Sequence, residues 1–228
     1  MLKLPLFLRD LRYRLFYGAL TKRGYPLLEL GNKDTGCSWH LFPDKLNADS
    51  IVYSGGIGTD ITFEHALVKK FGCSIVLFDP SPTGLETMTL PGNNISQFKF
   101  HPVALTGHCG MLKIAPPSCI EEGSWSMQRK DSATLEVPCI NLPALLTQNH
   151  HQHIDLLKID IEGSEYEVID DLLTHRVPIR QLLVEFHHGN IHLPGIARNQ
   201  TIRAILKLRA AGYYLIDQSG SNHSFLRE

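Results

Sequence analysis

Two stretches of this chain carry side chains whose types and spacing could do chemistry. The first is Leu156-Leu157-Lys158-Ile159-Asp160-Ile161-Glu162-Gly163-Ser164-Glu165. A strand-like apolar run carries a lysine and then delivers two carboxylates. Gly163 turns the chain, and Ser164 or Glu165 can begin the next helix. Burying such charges without partners is costly, so they are expected to serve a site. The second is Val184-Glu185-Phe186-His187-His188. If that strand stays regular, Glu185 and His187 share one side and Phe186 packs on the other. Asp160, Glu185 and His187 are the candidate catalytic residues, each able to accept a proton, and imidazole titrates near neutral pH. With Glu162 they could instead hold a divalent metal through oxygen and imidazole ligands. Their spacing matches no metal box, so no metal ligands are assigned. The run His150-His151-Gln152-His153 reads as a solvated loop.

A third stretch, Ser54-Gly55-Gly56-Ile57-Gly58-Thr59-Asp60, follows a short apolar strand. Its glycines permit a tight turn and close backbone approach to a ligand. The helix that follows offers unpaired N–H groups. Asp79 ends the second strand about twenty residues on, where an acid can bind ribose hydroxyls; Pro80 follows it. A dinucleotide fingerprint would need a third glycine where Ile61 stands, and Asp60 would sit poorly beside a pyrophosphate. A cofactor with a ribose and no phosphate fits better, and S-adenosylmethionine is one. Trp125, in the segment Gly123–Met127, could stack on a sugar or another flat acceptor face, or pack beneath a loop.

These groups need a scaffold that gathers strand ends. From Asp49 the chain alternates strand-like and helix-like segments. Residues 51–54, 74–78, 97–105, 154–161 and 180–186 read as strands, and 60–71, 164–173 and 199–211 as helices. Residues 111–115 and 134–140 read as short strands joined by a loop. Asn141 suits an N-cap, with Pro143 in the first helical turn. Residues 213–217 and 223–226 read as a closing antiparallel pair around a turn. The expectation is an α/β fold: a mostly parallel sheet of about seven strands with helices on both faces. Ligands bind such sheets outside the carboxyl ends of the strands.

The run at 156–165 resembles the signature of the FkbM family of methyltransferases, a hydrophobic K-I-D-V-E-G-x-E segment. Ile51–Glu64, Val76–Pro82, Pro102–Leu105 and Val184–His187 are similar to segments that family has in the same order. The likeness covers about residues 50 to 227. It implies a Rossmann-like class I methyltransferase fold and S-adenosylmethionine-dependent methyl transfer, commonly to a hydroxyl oxygen of a small molecule or glycan. It implies a cofactor over Ser54, Gly55, Gly56 and Gly58, with Asp79 and Pro80 at the ribose. Ala104 and Leu105 would border the adenine. Asp160 would stand beside the methyl donor, and Trp125 and Glu162 on the acceptor side. Ser54 departs from the pattern, since many methyltransferases place an acid before the glycines. A non-enzymatic nucleotide-binding or scaffold protein of the same fold is the alternative reading, and an NAD-dependent oxidoreductase a more distant one.

The 228 residues suit one domain, and a net charge of -1 gives no bulk drive toward nucleic acid. Five scattered cysteines without a C-x-x-C pair argue against a disulfide framework and for a reducing, cytoplasmic setting. Residues 1–48 read as a basic helical extension and lead-in, and 49–228 as the catalytic domain. Lys3, Arg9, Arg12, Arg14, Lys22 and Arg23 alternate with apolar residues in that extension. Such a helix packs on its own domain, forms a homodimer contact, or rests weakly on an anionic membrane surface.

Overall fold

Buried parallel strands read as short apolar runs because helices cover both of their faces, and the centre of this molecule is built from such runs. The computed structural model describes residues 15–117, 125–127, 134–189 and 196–228. Five strands run parallel: β3 (Ile51–Gly55), β4 (Ser74–Phe78), β5 (Phe98–His101), β9 (Ile154–Ile159) and β10 (Ile179–Glu185). The hairpin of β11 (Tyr213–Ser219) and β12 (Asn222–Arg227) completes a seven-stranded sheet, with β12 antiparallel to β10. The order is β11-β12-β10-β9-β3-β4-β5. Chain direction across the sheet reverses between β3 and β9, so a crevice opens beyond their carboxyl ends.

Successive residues of each strand feed two separate cores, as the pleat requires. Tyr53, Phe78, Leu157, Leu182 and Val184 face one way. They pack against α3 (Leu142–Gln148), α4 (Glu165–Thr174) and α5 (Arg198–Ala210) through Leu145, Val168, Ile169, Ile205 and Leu208. Val52, Ile75, Leu77, Leu156 and Leu183 face the other way, onto Phe63 and Leu67 of α1 (Thr62–Phe71). Side chains cap two of the helices as their residue types suggest. Asn141 Oδ1 accepts from Ala144 N at 3.2 Å, and Ser81 Oγ accepts from Gly84 N at 3.0 Å at the head of α2 (Pro82–Thr89).

Two expectations change. The strand predicted over 97–105 is two strands in two sheets. β5 ends at His101, and Ala104–Leu105 (β6) joins β8 (Leu135–Ile140) and β7 (Gly110–Ile114) in a separate three-stranded sheet. Pro102 lies at the break, where it has no N–H to give a ladder. The segment read as a lead-in also contributes to the same body. β1 (Leu28–Asn32) and β2 (Cys37–Leu41) form an antiparallel hairpin, and Trp39 and Leu41 enter the core over α1. Residues 15–20 are helical, and Tyr17 is buried against His223. The rest of the expected basic extension, residues 1–14, lies outside the described residues. Among the described residues no helix is long and apolar enough to cross a membrane.

Candidate functional site

The crevice at the reversal point is a cleft of about 1100 Å³ including its open mouth. Its floor is Gly56, Ile57 and Gly58. Phe78, Asp79 and Pro80 form one wall, continued by Ala104 and Leu105. Asp160, Ile161 and Glu162 face them, Trp125 borders the mouth, and the β1–β2 hairpin adds Thr35, Cys37 and Trp39.

The glycine turn is shaped by its neighbours. Gly56 has φ +82°, and a Cβ there would lie 1.6 Å from the Asp160 carbonyl oxygen. Two strand ends therefore touch only because the residue is glycine. Gly58 has φ +56°, and a Cβ there would meet nothing within 4 Å. Asp79 is buried and holds the turn from the next strand. Its Oδ2 accepts from Ile57 N at 2.9 Å and Gly58 N at 3.1 Å, and its Oδ1 from Ser81 N at 2.8 Å. A carboxylate offers about four acceptor positions, so one is left toward the cleft, where Asp79 forms part of the wall.

Ser54 and Gly55 were expected against the cofactor and do not line the cleft. Both are still inside β3, which runs to Gly55. Ser54 is fully buried, and its Oγ donates to Glu64 Oε1 at 2.6 Å. Glu64, from α1, reaches the cleft and supplies an acid beside the position where Ser54 lacks one. Lys158 is buried alongside; its Nζ donates to the Gly56 carbonyl at 2.6 Å and lies 3.7 Å from Glu64 and 3.9 Å from Asp160. Burial opposes its charge, but Glu64 and Asp160 outweigh that and raise its pKa.

Asp160 and His187 converge as the strand order requires: His187 Nε2 lies 3.7 Å from Asp160 Oδ1 and 3.5 Å from Glu162 Oε2. Yet His187 and Glu185 do not line the cleft. The His187 ring is drawn behind its wall because Nδ1 bonds Glu165 Oε1 at 2.7 Å. Phe186 packs away from them, against Tyr166 and His223. His188 is half-buried and bonds Thr201, so neither histidine faces fully out. Burial opposes charge on His187, while Glu165, Glu162 and Asp160 outweigh it and push its pKa well above the usual value. Glu185, half-buried, is pushed up to about 7, first by burial and then by Asp160. The His187 shift reports neighbouring carboxylates that outweigh burial, whereas the Glu185 shift reports burial first.

Glu165 was read only as a helix starter, and it is the hub of this centre. Fully buried, it accepts from Ile161 N and Gly163 N and from the His187 ring. It fixes a turn in which Glu162 takes φ +51°, a left-handed conformation that costs a residue with a side chain about 1–3 kcal/mol. Ser126 Oγ donates to the Glu162 carbonyl at 2.6 Å and ties that turn to the segment carrying Trp125. Glu64 and the hairpin residues also escaped the sequence reading. The turn-rich Asn32-Lys33-Asp34-Thr35-Gly36 between two half-apolar runs was the available signal for the hairpin.

Strand order, closing antiparallel hairpin and a cleft at the reversal point define a Rossmann-like α/β domain with its ligand site at the strand ends. The chain belongs to the family described as "Methyltransferase FkbM domain", whose model matches residues 52–215. It is 26% identical over 146 residues to rat (Rattus norvegicus) "Probable methyltransferase-like protein 24", a match covering 63% of this chain and 34% of that protein. The human (Homo sapiens) protein of that name is 26% identical over 151 residues, covering 65% of this chain and 35% of its own length. The match thus spans about a third of the curated relatives. Aeropyrum pernix fibrillarin, solved with natively bound S-adenosyl-L-methionine, aligns at a TM-score of 0.43 and 10% identity, covering 79% of this chain and 66% of that one. A likeness that loose adds nothing to the strand order.

Proposed function

We propose that this protein transfers the methyl group of S-adenosylmethionine to a hydroxyl oxygen of a small-molecule or glycan acceptor. The observation that carries the reading is the charge of the cleft. Among the described residues Asp60, Glu64, Asp79, Asp160 and Glu162 line it, and Lys158 is the one lysine or arginine there. That lysine is committed to Gly56, Glu64 and Asp160. Among the described residues a pyrophosphate would find no free cation, whereas a cofactor carrying sulfonium and ammonium charges suits the acids. The free acceptor position of Asp79 suits a ribose hydroxyl, and the apolar surfaces of Ala104 and Leu105 suit a base. Glu64 suits the ammonium end.

When bound, the cofactor supplies a methyl group already electrophilic on sulfur. The chain's own part is to align an oxygen and take or hold its proton. Asp160 is placed for this, since it lines the cleft with its side chain 27% exposed. Buried and tied to Glu165, His187 serves as a positioning residue behind Asp160 and Glu162. Trp125 offers a flat apolar face for the acceptor.

Calorimetry of the purified chain with S-adenosylmethionine and with NAD tests the cofactor. Saturable binding of S-adenosylmethionine alone is expected. Binding of NAD alone would overturn the reading in favour of an oxidoreductase, and binding of neither in favour of a scaffold. Mass spectrometry of hydroxylated small molecules and glycans from cell extract, incubated with protein and cofactor, should then show gain of one methyl group.

A further inference from the structure

We infer that the face made by residues 15–23, α5 and the start of β11 docks on an anionic membrane surface, where its ligands are phospholipid headgroups. The sheet ends at β11, and the N-terminal segment lies along that edge: Lys22 N donates to the Leu215 carbonyl at 2.7 Å. Between that segment and α5 a groove of about 650 Å³ remains, including its open mouth. Leu20, Ile205, Leu215 and Phe225 give it an apolar lining. Lys22 and Arg209 are its charged residues, and among the described residues no acid lines it. None of the groove residues belongs to the cleft at the strand ends.

Charge segregation carries the inference. The chain has a net charge of -1, yet residues 15–27 and α5 together hold six cations and no acid. They are Lys22, Arg23, Arg198, Arg203, Lys207 and Arg209. The helix dipole accounts for Lys207 and Arg209 in the last turn of α5. It does not account for Arg198 or Arg203, and no acid opens the helix. Lys22 pairs with Glu228, and Lys207 with Asp170. Pairs as exposed as these contribute little, so a lipid phosphate can replace the carboxylate. Arg23, Arg203 and Arg209 are exposed and make no ion pair among the described residues.

Apolar groups stand among these cations. Leu206 is 47% exposed and lies one helical turn from both Arg203 and Arg209. Leu15 is 65% exposed, one turn from Ala19 in the groove wall. Tyr214 is 40% exposed, and Lys22 Nζ lies 3.9 Å from its ring centre. This mixture suits the boundary between headgroups and acyl chains. The cations meet phosphates, the leucines leave water, and the tyrosine sits at headgroup level. A nucleic acid would satisfy the cations and leave the leucines wet. A second copy would set six cations against six, because a closed dimer uses one patch twice.

The test is co-sedimentation of the full chain with two kinds of vesicle, phosphatidylcholine alone and phosphatidylcholine mixed with phosphatidylserine. Binding to the mixed vesicles alone is expected, fading as salt is raised. Each basic residue near an anionic leaflet adds about 5-fold in affinity. The double variant Arg203→Gln/Arg209→Gln should therefore bind about 20–30-fold more weakly, and Leu206→Ser about 3–10-fold. All three positions are exposed, so the fold should survive, which circular dichroism checks. Lys69→Gln/Lys70→Gln removes the same charge from exposed positions on α1, across the sheet, and should bind like wild type. Equal binding by wild type and the α5 double variant overturns the surface. So does an equal loss in the α1 control, which would reduce the effect to net charge. Equal sedimentation with the two vesicle types, or none with either, overturns it as well. Tighter binding to a DNA duplex than to the mixed vesicles would give the face to nucleic acid instead.

Discussion

Asp79 has two duties, and replacement by alanine would confound them. Its carboxylate gathers the amides of Ile57, Gly58 and Ser81 and also lines the cleft. Asp79→Ala leaves those buried donors without an acceptor and should cost on the order of 2–4 kcal/mol of stability, read from urea unfolding. Asp79→Asn can keep one oxygen for Ile57 N and Gly58 N and loses the bond from Ser81 N, so the fold should survive at a smaller cost than in the alanine variant. The asparagine variant's loss should fall on S-adenosylmethionine affinity, about 10-fold for a charge-assisted bond removed. Unchanged affinity in the asparagine variant, measured by calorimetry, would remove the ribose from this position. Asp79, Asp160 and Glu162 were legible in the sequence because each ends an apolar run, where a charge stands out. Glu64 and Glu165 were not. Both fall in the first turn of a helix, where acids are ordinary complements to the helix dipole. Nothing local distinguishes an acid there that turns inward to Ser54 or His187.

At the scale of elements, strands with both faces buried announced themselves as unbroken apolar runs, and β4 and β9 begin where the sequence placed them. The β1–β2 hairpin was silent because β1 is half-buried along its whole length and gives no clean alternation. The joint between β3 and β9 rests on one atom-sized space. Gly56→Ala would set a methyl group on the Asp160 carbonyl and force a positive φ on alanine. It should cost more than about 4 kcal/mol, the range reserved for severe lesions, and abolish soluble expression or depress the Tm strongly. Gly58→Ala is the matched control: also at positive φ, but facing open space. Its cost should stay near 1–2 kcal/mol. Similar Tm values for the two variants would show that the strand ends can separate, and that the cleft floor is not built as described.

Across the whole molecule, the helical residues 15–20 are fastened to the last strand of the sheet. Tyr17 OH donates to His223 Nε2 at 3.0 Å, and the other ring nitrogen donates to the Ser221 carbonyl at 2.7 Å. Phe186 and Phe225 enclose the ring. Burial drives its pKa down to about 4. An unfolded histidine titrates near 6.5, so the unfolded chain binds this proton first. His223 therefore lends its full stabilisation above about pH 6.5 and loses it as pH falls toward 4. Between pH 7 and pH 4.5 the loss should be about 2–3 kcal/mol. Urea unfolding at both values, for wild type and His223→Gln, isolates that share. An equal pH response in the two proteins would mean that the ring is already wet. Glu162 imposes a different kind of tax. Its left-handed backbone would relax if the position were glycine, yet only the acid puts a carboxylate at the cleft. A screen that ranks variants of this protein by heat resistance alone would thus reward Glu162→Gly and enrich sturdy, impaired proteins. Engineering for thermostability has to hold residue 162 fixed, or score turnover alongside survival.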